Sequence, residues 1–263
     1  MQDEVDVAAL RKAHRLHPLY GSRRLKIYLG WSRNKTRRLM RKANIAIDRP
    51  RKRRRGYKTV RPEITTPPNI LHTYARFKNE SRPQDGMTYD DMVNAEAWVQ
   101  DFSHIWFKGR WCYLAAVARI KTREIVGWKL GLSHTSQLTL EALLDALSKH
   151  PKPALIHSDQ GSEYLSYKHR DLCARVEIQL SCSNRSSPWQ NGFMERIFCT
   201  IKDELPPLNS LQDLPQLYEA IALTIHYYNT SRIHTALGMS PAAYAAALNP
   251  TKERDKVLQI SVP

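Results

Sequence analysis

Residues 97–105 read AWVQDFSHI, an aromatic and β-branched run that predicts a strand with Asp101 near its middle. An ionised carboxylate is poorly tolerated in such a strand unless a cation compensates its charge. Asp159 follows the short apolar run 154–156, so we expect it just beyond the carboxyl end of another strand, where open α/β sheets place their ligands. These two acids favour a ligand site at one edge of a sheet.

A third acid, Glu195, lies in a stretch at 191–204 that predicts a helix. Phe193, Ile197 and Ile201 recur at four-residue spacing and predict its buried stripe, which leaves Glu195 on another face. Each acid alone is compatible with a cap, a turn residue or a surface charge. Together they favour a metal site, because two divalent ions about 3.5–4 Å apart clamp the attacking and leaving oxygens of a phosphodiester. Carboxylate oxygens suit Mg²⁺ or Mn²⁺.

The order of elements around these acids predicts the fold. The strand at 97–105 begins an antiparallel meander that continues with strands at 111–119 and 124–130. The later elements are predicted to be helices at 136–149, 167–175, 214–228 and 241–248, and strands at 155–157 and 177–181. Three antiparallel strands followed by alternating helices and strands predict an α/β, ribonuclease H-like core, a mixed sheet flanked by helices.

The excess of positive over negative charge is confined to the first quarter of the chain. Residues 1–61 hold 20 Lys and Arg against four acids, which accounts for the net charge of +16 of the 263-residue chain. A compact basic module beside a neutral one is typical of nucleic-acid binding. The chain has no apolar run of membrane-spanning length, no signal-peptide pattern and no metal-like spacing of its cysteines. We therefore expect a cytoplasmic, nucleoid-associated protein without a membrane partner.

Three helices are predicted in the basic module, at 5–17, 22–29 and 34–43. Helix, turn and basic helix favour a small all-helical helix-turn-helix domain on double-stranded DNA, with a generic three-helix bundle as the alternative. The segment 49–61 is predicted to be a linker lying along phosphates, although a nuclear-localisation signal looks similar. The predicted DNA contacts are Arg23, Arg24, Lys35, Arg37, Arg38, Arg41, Arg51, Lys52, Arg53, Arg54, Arg55 and Lys202.

The predicted domain organisation has four parts. They are a helix-turn-helix domain at 1–46, a basic and polar linker at 47–95, a catalytic core with C-terminal helices at 96–250, and a tail at 251–263. Within the linker, a short helix is predicted at 69–77.

Six short motifs occur along the chain at characteristic spacing. They are YGSRR at 20–24, WVQD at 98–101, GW at 127–128, HSDQGSEY at 157–164, NGFME at 191–195 and YNTSRIHTAL at 228–237. This set resembles the second-frame transposases of two-frame bacterial insertion sequences, a branch of the DDE transposase and retroviral integrase superfamily. The sequence departs from that pattern at Ser103, Ala118, Gln190 and Arg196, none of which is a predicted metal ligand.

The resemblance implies the reaction and the roles of the three acids. Asp101, Asp159 and Glu195 would be the catalytic metal ligands for two Mg²⁺ or Mn²⁺ ions, with Asp101 bridging both. The enzyme would bind the ends of an insertion sequence, cleave there and join the freed 3′-hydroxyl to a second phosphodiester. A homo-oligomer on paired DNA ends is implied, as is partnership with the upstream-frame transposase product.

Several alternatives stay open at this point. A nuclease on the same fold would cut without joining, and a DNA-binding repressor would carry a silent catalytic domain. His157 is interpreted as a hydrogen-bonded residue rather than a ligand of metal or phosphate, and the motif at 228–237 as packing. Lys202 is equally compatible with a contact to the DNA backbone and with a solvated surface charge.

Overall fold

The computed structural model describes residues 2–47, 66–77, 87–89, 97–185 and 187–248. Close contacts divide the chain into two compact units, Met1–Lys58 with His226–Pro263, and Thr59–Ile225. The predicted tail at 251–263 lies outside the described residues, together with five predicted DNA contacts, Arg51, Lys52, Arg53, Arg54 and Arg55.

The secondary structure follows the predicted order. In the described ranges the α-helices are α1 (Gln2–Leu16), α2 (Ser22–Leu29), α3 (Arg33–Lys42), α4 (Ile70–Thr73), α5 (Ser136–Lys149), α6 (Tyr167–Arg175), α7 (Gly192–Glu204), α8 (Leu214–Thr230) and α9 (Pro241–Leu248). The strands are β1 (Ala75–Phe77), β2 (Met87–Tyr89), β3 (Ala97–Phe107), β4 (Arg110–Arg119), β5 (Ile125–Gly131), β6 (Leu155–Ser158) and β7 (Gln179–Cys182).

The three N-terminal helices pack around a small apolar core. Leu25 of α2 and Leu39 of α3 are fully buried beside Tyr20. α2 ends at Gly30, whose left-handed φ of 66° lets its N–H bond back to the last turn of the helix. α3 begins after Ser32, whose side chain caps the first turn. These elements give the predicted order of helix, turn and basic helix.

The segment after α8 packs against the N-terminal helices. The Tyr20 hydroxyl accepts a hydrogen bond from Ile233 N at 2.6 Å and donates one to Ser231 O at 3.5 Å. The packing interpretation of the motif at 228–237 is therefore confirmed. The predicted boundaries group 226–250 with the catalytic core, whereas these bonds join its motif to the N-terminal helices.

The second unit contains a five-stranded sheet in the order β5-β4-β3-β6-β7. β3, β4 and β5 are antiparallel neighbours, and β6 and β7 run parallel to β3. This confirms the predicted mixed sheet. β3 pairs with β6 from Ala97 to Val99 only, so Asp101 lies just past the paired stretch, and Asp159 directly follows β6. The register brings these two predicted ligands to the same end of the sheet.

One face of the sheet is covered by α5. Trp98 and Phe102 of β3 lie in the same apolar cluster as Ala142 of α5. Because side chains alternate along a strand, Asp101 lies on the face opposite Trp98. Gly127 of β5 explains the close approach of α5, since a side chain at this position would collide with the helix backbone at Ala142.

Three local predictions were wrong. The predicted helix at 69–77 is the single turn α4 followed by β1, which pairs with β2. The strand predicted at 177–181 begins at Gln179, because Glu177 has a φ of 56° and ends the turn after α6. The buried stripe of α7 contains Met194 and Phe198 with the two predicted isoleucines, whereas Phe193 lies beneath the Arg123 guanidinium at 4.6 Å.

Candidate active site

Asp101 is a carboxylate held in an unfavourable environment. Its Oδ1 accepts a hydrogen bond from Phe102 N at 2.8 Å. Burial nevertheless raises the pKa of Asp101 well above its usual range, and the charges of Asp159, Glu195 and Glu163 add to this effect. Since carboxylates in mutual repulsion favour either a proton or a cation, the site is suited to a positive ligand.

Asp159 is fixed by the loop that follows β6. Its Oδ1 accepts a hydrogen bond from Gly161 N at 2.7 Å. A side chain at position 161 would place its Cβ only 2.8 Å from Asp159 Oδ1 and 2.5 Å from Glu163 Oε2. Two carboxylate side chains thus end close to Gly161, and a Cβ at this position would displace their oxygens.

Glu195 lies in the first turn of α7, a helix that packs against β3. Its side chain is exposed, as the sequence predicts. The residue before this helix, Asn191, is buried, and neither polar atom of its side chain has a partner among the described residues. The preceding loop is tied by Gln190, whose Oε1 accepts from Asn184 N at 2.6 Å and Asn69 Nδ2 at 2.8 Å. Neutral Gln190 thus has a structural role that its position in the motif alone does not reveal.

The three predicted ligands share one neighbourhood, and their oxygens suit a hard divalent cation. No three His, Cys, Asp or Glu side chains within the described ranges stand close enough to share one ion. Asp101 and Asp159 each engage one oxygen with a nearby amide, which orients that oxygen toward the backbone. The donor chemistry and the electrostatic coupling fit a metal site.

His157 has both ring nitrogens engaged by serines. Its Nδ1 lies 2.9 Å from Ser181 Oγ and its Nε2 lies 3.0 Å from Ser183 Oγ. Burial lowers the pKa of His157 to about 4, so the ring is neutral at physiological pH. The interpretation of His157 as a hydrogen-bonded residue joining β6 to the end of β7 is confirmed.

Two residues near the carboxylates were missed by the sequence reasoning. Glu163 is buried, and its Oε1 lies 3.2 Å from His134 Nδ1 in the turn between β5 and α5. The sequence could have indicated Glu163, because it is an acidic residue four positions after Asp159 in the same motif. Nothing in the sequence pattern indicates His134, because the pair is formed by tertiary contact.

Lys202 is exposed on α7 and lies near the same region. The pKa of His104 is lowered by burial, then by the charges of His134 and Lys202. Lys202 thus lies close enough to His104 to affect its pKa, and an exposed lysine is compatible with a phosphate contact.

The predicted DNA contacts of α3 separate into two groups. Arg38 donates two hydrogen bonds to Asp3 of α1, and Lys35 Nζ lies 2.7 Å from Asp6. Arg37 and Arg41 form the second group, which lines a surface cavity of about 500 Å³ together with Ser22 and Asn34. In α2, Arg24 lies over the Tyr20 ring at 5.6 Å, and Arg23 is exposed. The basic side chains of this domain thus differ in whether an acidic side chain of the same domain already pairs with them.

Comparison with known proteins identifies the family. Two integrase core domain families match the chain, one over residues 94–188 and the other over 176–241. The transposase for insertion sequence element IS904 of Lactococcus lactis subsp. lactis (strain IL1403) is 30% identical over 173 residues, which cover 62% of this chain and 68% of that protein. The chain belongs to the insertion-sequence transposases of the integrase superfamily. The transposase is therefore a polynucleotidyl transferase that acts on DNA.

Two further comparisons extend over most of the transposase. A 31 kDa protein of insertion element IS600 from Shigella sonnei is 29% identical over 245 residues, covering 89% of this chain and 85% of that protein. A chain of the simian T-cell lymphotropic virus intasome in complex with PP2A regulatory subunit B56 gamma superposes with a TM-score of 0.51 at 17% identity. That superposition covers 89% of this chain and 73% of the other. The ribonuclease H-like fold of the transposase is confirmed. No helix in the described part of the chain is long and apolar enough to cross a bilayer.

Proposed function

We propose that Asp101, Asp159 and Glu195 are the catalytic carboxylates of this transposase and that they hold two Mg²⁺ or Mn²⁺ ions. The observations that carry this proposal are the placement of Asp101 and Asp159 at the same end of the sheet and the packing of α7, with Glu195 in its first turn, against β3. Burial and the charges of Asp159 and Glu195 raise the pKa of Asp101, so these surroundings favour a cation beside its carboxylate. Asp101 would contribute to holding both ions, and Asp159 and Glu195 would each hold one.

The reaction consists of two successive phosphoryl transfers. Water attacks the phosphodiester at the end of the element and releases a 3′-hydroxyl, which then attacks a second phosphodiester and displaces its 3′-oxygen. The bound metal ions supply an activated nucleophile and stabilise charge on the leaving oxygen. The carboxylates orient the reacting groups within a fixed sheet end, which lowers the entropic part of the barrier. No covalent intermediate with the enzyme is involved.

We further propose that residues 1–46 bind the element ends as a helix-turn-helix domain. Exposed Arg37 and Arg41 on α3 support this assignment, because they lie beside the polar side chains of Ser22 and Asn34. Arginines on a recognition helix read base edges in the major groove. The basic stretch at 49–61 adds sequence-independent attraction to phosphates.

The remaining assignments complete the proposal. Lys202 contacts the DNA backbone near the reacting phosphate, residues 96–250 act as the catalytic core with its C-terminal helices, and 47–95 link the domains. The active species is a homo-oligomer on paired DNA ends, and the upstream-frame transposase product is its partner. Its site of action is the bacterial nucleoid in the cytoplasm.

A strand-joining assay tests this function. The full chain is incubated with Mg²⁺, a labelled terminal repeat and a target duplex, and the products are separated by size. Joined products support the transposase mechanism. Cleavage without joining indicates a nuclease, and binding without any reaction indicates a repressor; either result contradicts the proposal.

A further inference from the structure

Glu163 has a buried carboxylate oxygen that the proposed reaction leaves unexplained. Glu163 lies within the 157–164 motif, and only 7% of the residue is exposed. Oε1 is paired with His134 Nδ1, but Oε2 has no hydrogen-bond partner among the described residues. A buried and unsatisfied carboxylate oxygen is strongly unfavourable, so a missing polar partner is indicated.

The unpaired oxygen lies beside the proposed metal ligands. Glu163 Oε2 and Asp159 Oδ1 are 2.5 Å and 2.8 Å from the position that a Cβ of Gly161 would occupy. Both oxygens therefore flank the same glycine. Glu163 Oε2 is thus placed beside Asp159, one of the proposed metal ligands.

His134 fixes the orientation of Glu163. The His134 ring packs on Phe102 with a centroid distance of 3.9 Å and stacks on Tyr113 at 5.4 Å. These contacts join the turn before α5 to β3 and β4, so Nδ1 is presented to Oε1 from a ring packed on the sheet. Because Oε1 is paired with His134, Oε2 is the oxygen that is available to accept a hydrogen bond from another group.

We propose that Glu163 is a positioning residue of the metal site, held by His134 through Oε1 and accepting a hydrogen bond through Oε2 from a water molecule carried by the bound divalent cation. This inference rests on the proposed function of Asp101 and Asp159. Residues that hydrogen-bond to the groups bound to a metal ion orient those groups. Their loss typically lowers metal affinity by about 10–100-fold. A purely structural ion pair between Glu163 and His134 would account for Oε1 but not for Oε2.

The test measures Mn²⁺ binding to the full chain without DNA, by titration calorimetry and by the electron paramagnetic resonance signal of free Mn²⁺. Glu163→Gln keeps the shape of the side chain and removes its charge. Glu177→Gln is the matched control, because Glu177 is also ion-paired, to Lys152 at 2.9 Å, but precedes β7 at the opposite end of the sheet. We expect Glu163→Gln to weaken Mn²⁺ binding by about 10–100-fold and Glu177→Gln to leave it unchanged.

A second variant separates positioning from folding. His134→Phe keeps a ring against Phe102 and Tyr113 but removes the nitrogen that holds Oε1. It should weaken Mn²⁺ binding less than Glu163→Gln, and the double variant should bind no more weakly than Glu163→Gln alone, because the two residues act as one unit. Circular dichroism spectra verify that each variant is folded. If Glu163→Gln does not fold, the comparison of His134→Phe with wild type provides the test.

Asp159→Asn distinguishes failure of this inference from failure of the proposed function. If Asp159→Asn loses Mn²⁺ binding while Glu163→Gln and His134→Phe bind as tightly as wild type, Glu163 is structural and the inference is overturned. If Asp159→Asn also binds normally, the metal site is elsewhere and both proposals fail.

Discussion

Arg38 of α3 donates two hydrogen bonds to Asp3 of α1, at 2.6 and 2.8 Å. Lys42 donates to the same carboxylate at 3.1 Å, and together these bonds lower the pKa of Asp3 below its usual range. An arginine of the predicted recognition helix is thus engaged within the domain. Arg37 and Arg41 are exposed and have no acidic partner in the described part of the chain, which makes them the better candidates for reading DNA.

Arg37→Ala should reduce the preference for terminal repeats over random DNA by about 1–3 kcal/mol, because a base contact is lost. Arg38→Ala is the matched change on the same helix and should alter the preference little, since its guanidinium is held by Asp3. Competition titrations followed by fluorescence anisotropy measure both. Equal loss of preference in the two variants would mean that the ion pair opens on DNA.

The basic stretch that follows this domain should act without sequence preference. Replacing Arg53, Arg54 and Arg55 together with Ala should weaken binding to any duplex and reduce the slope of log affinity against log salt by about 0.9 per lost phosphate contact. Anisotropy titrations at several salt concentrations give the slope. An unchanged slope would contradict the assignment of 49–61 to phosphate contacts.

Asp101→Asn, Asp159→Asn and Glu195→Gln should each abolish cleavage and joining yet leave DNA binding intact, because each keeps its shape while a ligand charge is removed. A double substitution should reduce activity hardly more than a single one, since the ligands act as a unit. Gel assays of strand joining and parallel binding titrations provide the measurement. Substantial joining by Glu195→Gln, in a preparation free of wild-type enzyme, would show that the third ligand is another residue.

Gly161→Ala should displace the carboxylate oxygens that flank this glycine and reduce the rate of joining, by up to about 100-fold if the displacement approaches 1 Å. Gly192→Ala is the control, because a Cβ there has no neighbouring atom within 4 Å. Initial rates of strand joining are compared at equal protein concentration. Wild-type rates for Gly161→Ala would exclude a fixed arrangement of Asp159 and Glu163.

Tyr20→Phe should destabilise the unit formed by the two ends of the chain. The substitution leaves the partly buried Ile233 N without its partner at 2.6 Å, and loss of a typical intramolecular hydrogen bond costs about 0.5–1.5 kcal/mol. Tyr28→Phe removes a hydroxyl from a neighbouring, exposed tyrosine of α2 and should have little effect. Differential scanning calorimetry records the melting temperatures, and equal shifts for both variants would contradict a specific role of the Tyr20 bonds.

The sequence by itself determined the order of helices and strands, the mixed sheet and the neighbourhood of Asp101 and Asp159. Periodicity indicates which residues form an element, and an acid directly after an apolar run marks a strand end, so both features are local. The family followed from short motifs for the same reason. Helix α5 and helix α6 have the predicted bounds because their apolar spacing and caps lie within the segments themselves.

Only the tertiary structure decided which side chains meet. The pairing of Glu163 with His134, the bonds from Tyr20 to the segment at 231–233 and the engagement of Arg38 by Asp3 join positions far apart in sequence or on different helices. Such contacts depend on how elements pack, which hydrophobic spacing along one element does not encode. The same packing separates exposed Arg37 from paired Arg38, although the two are adjacent and chemically identical in the sequence.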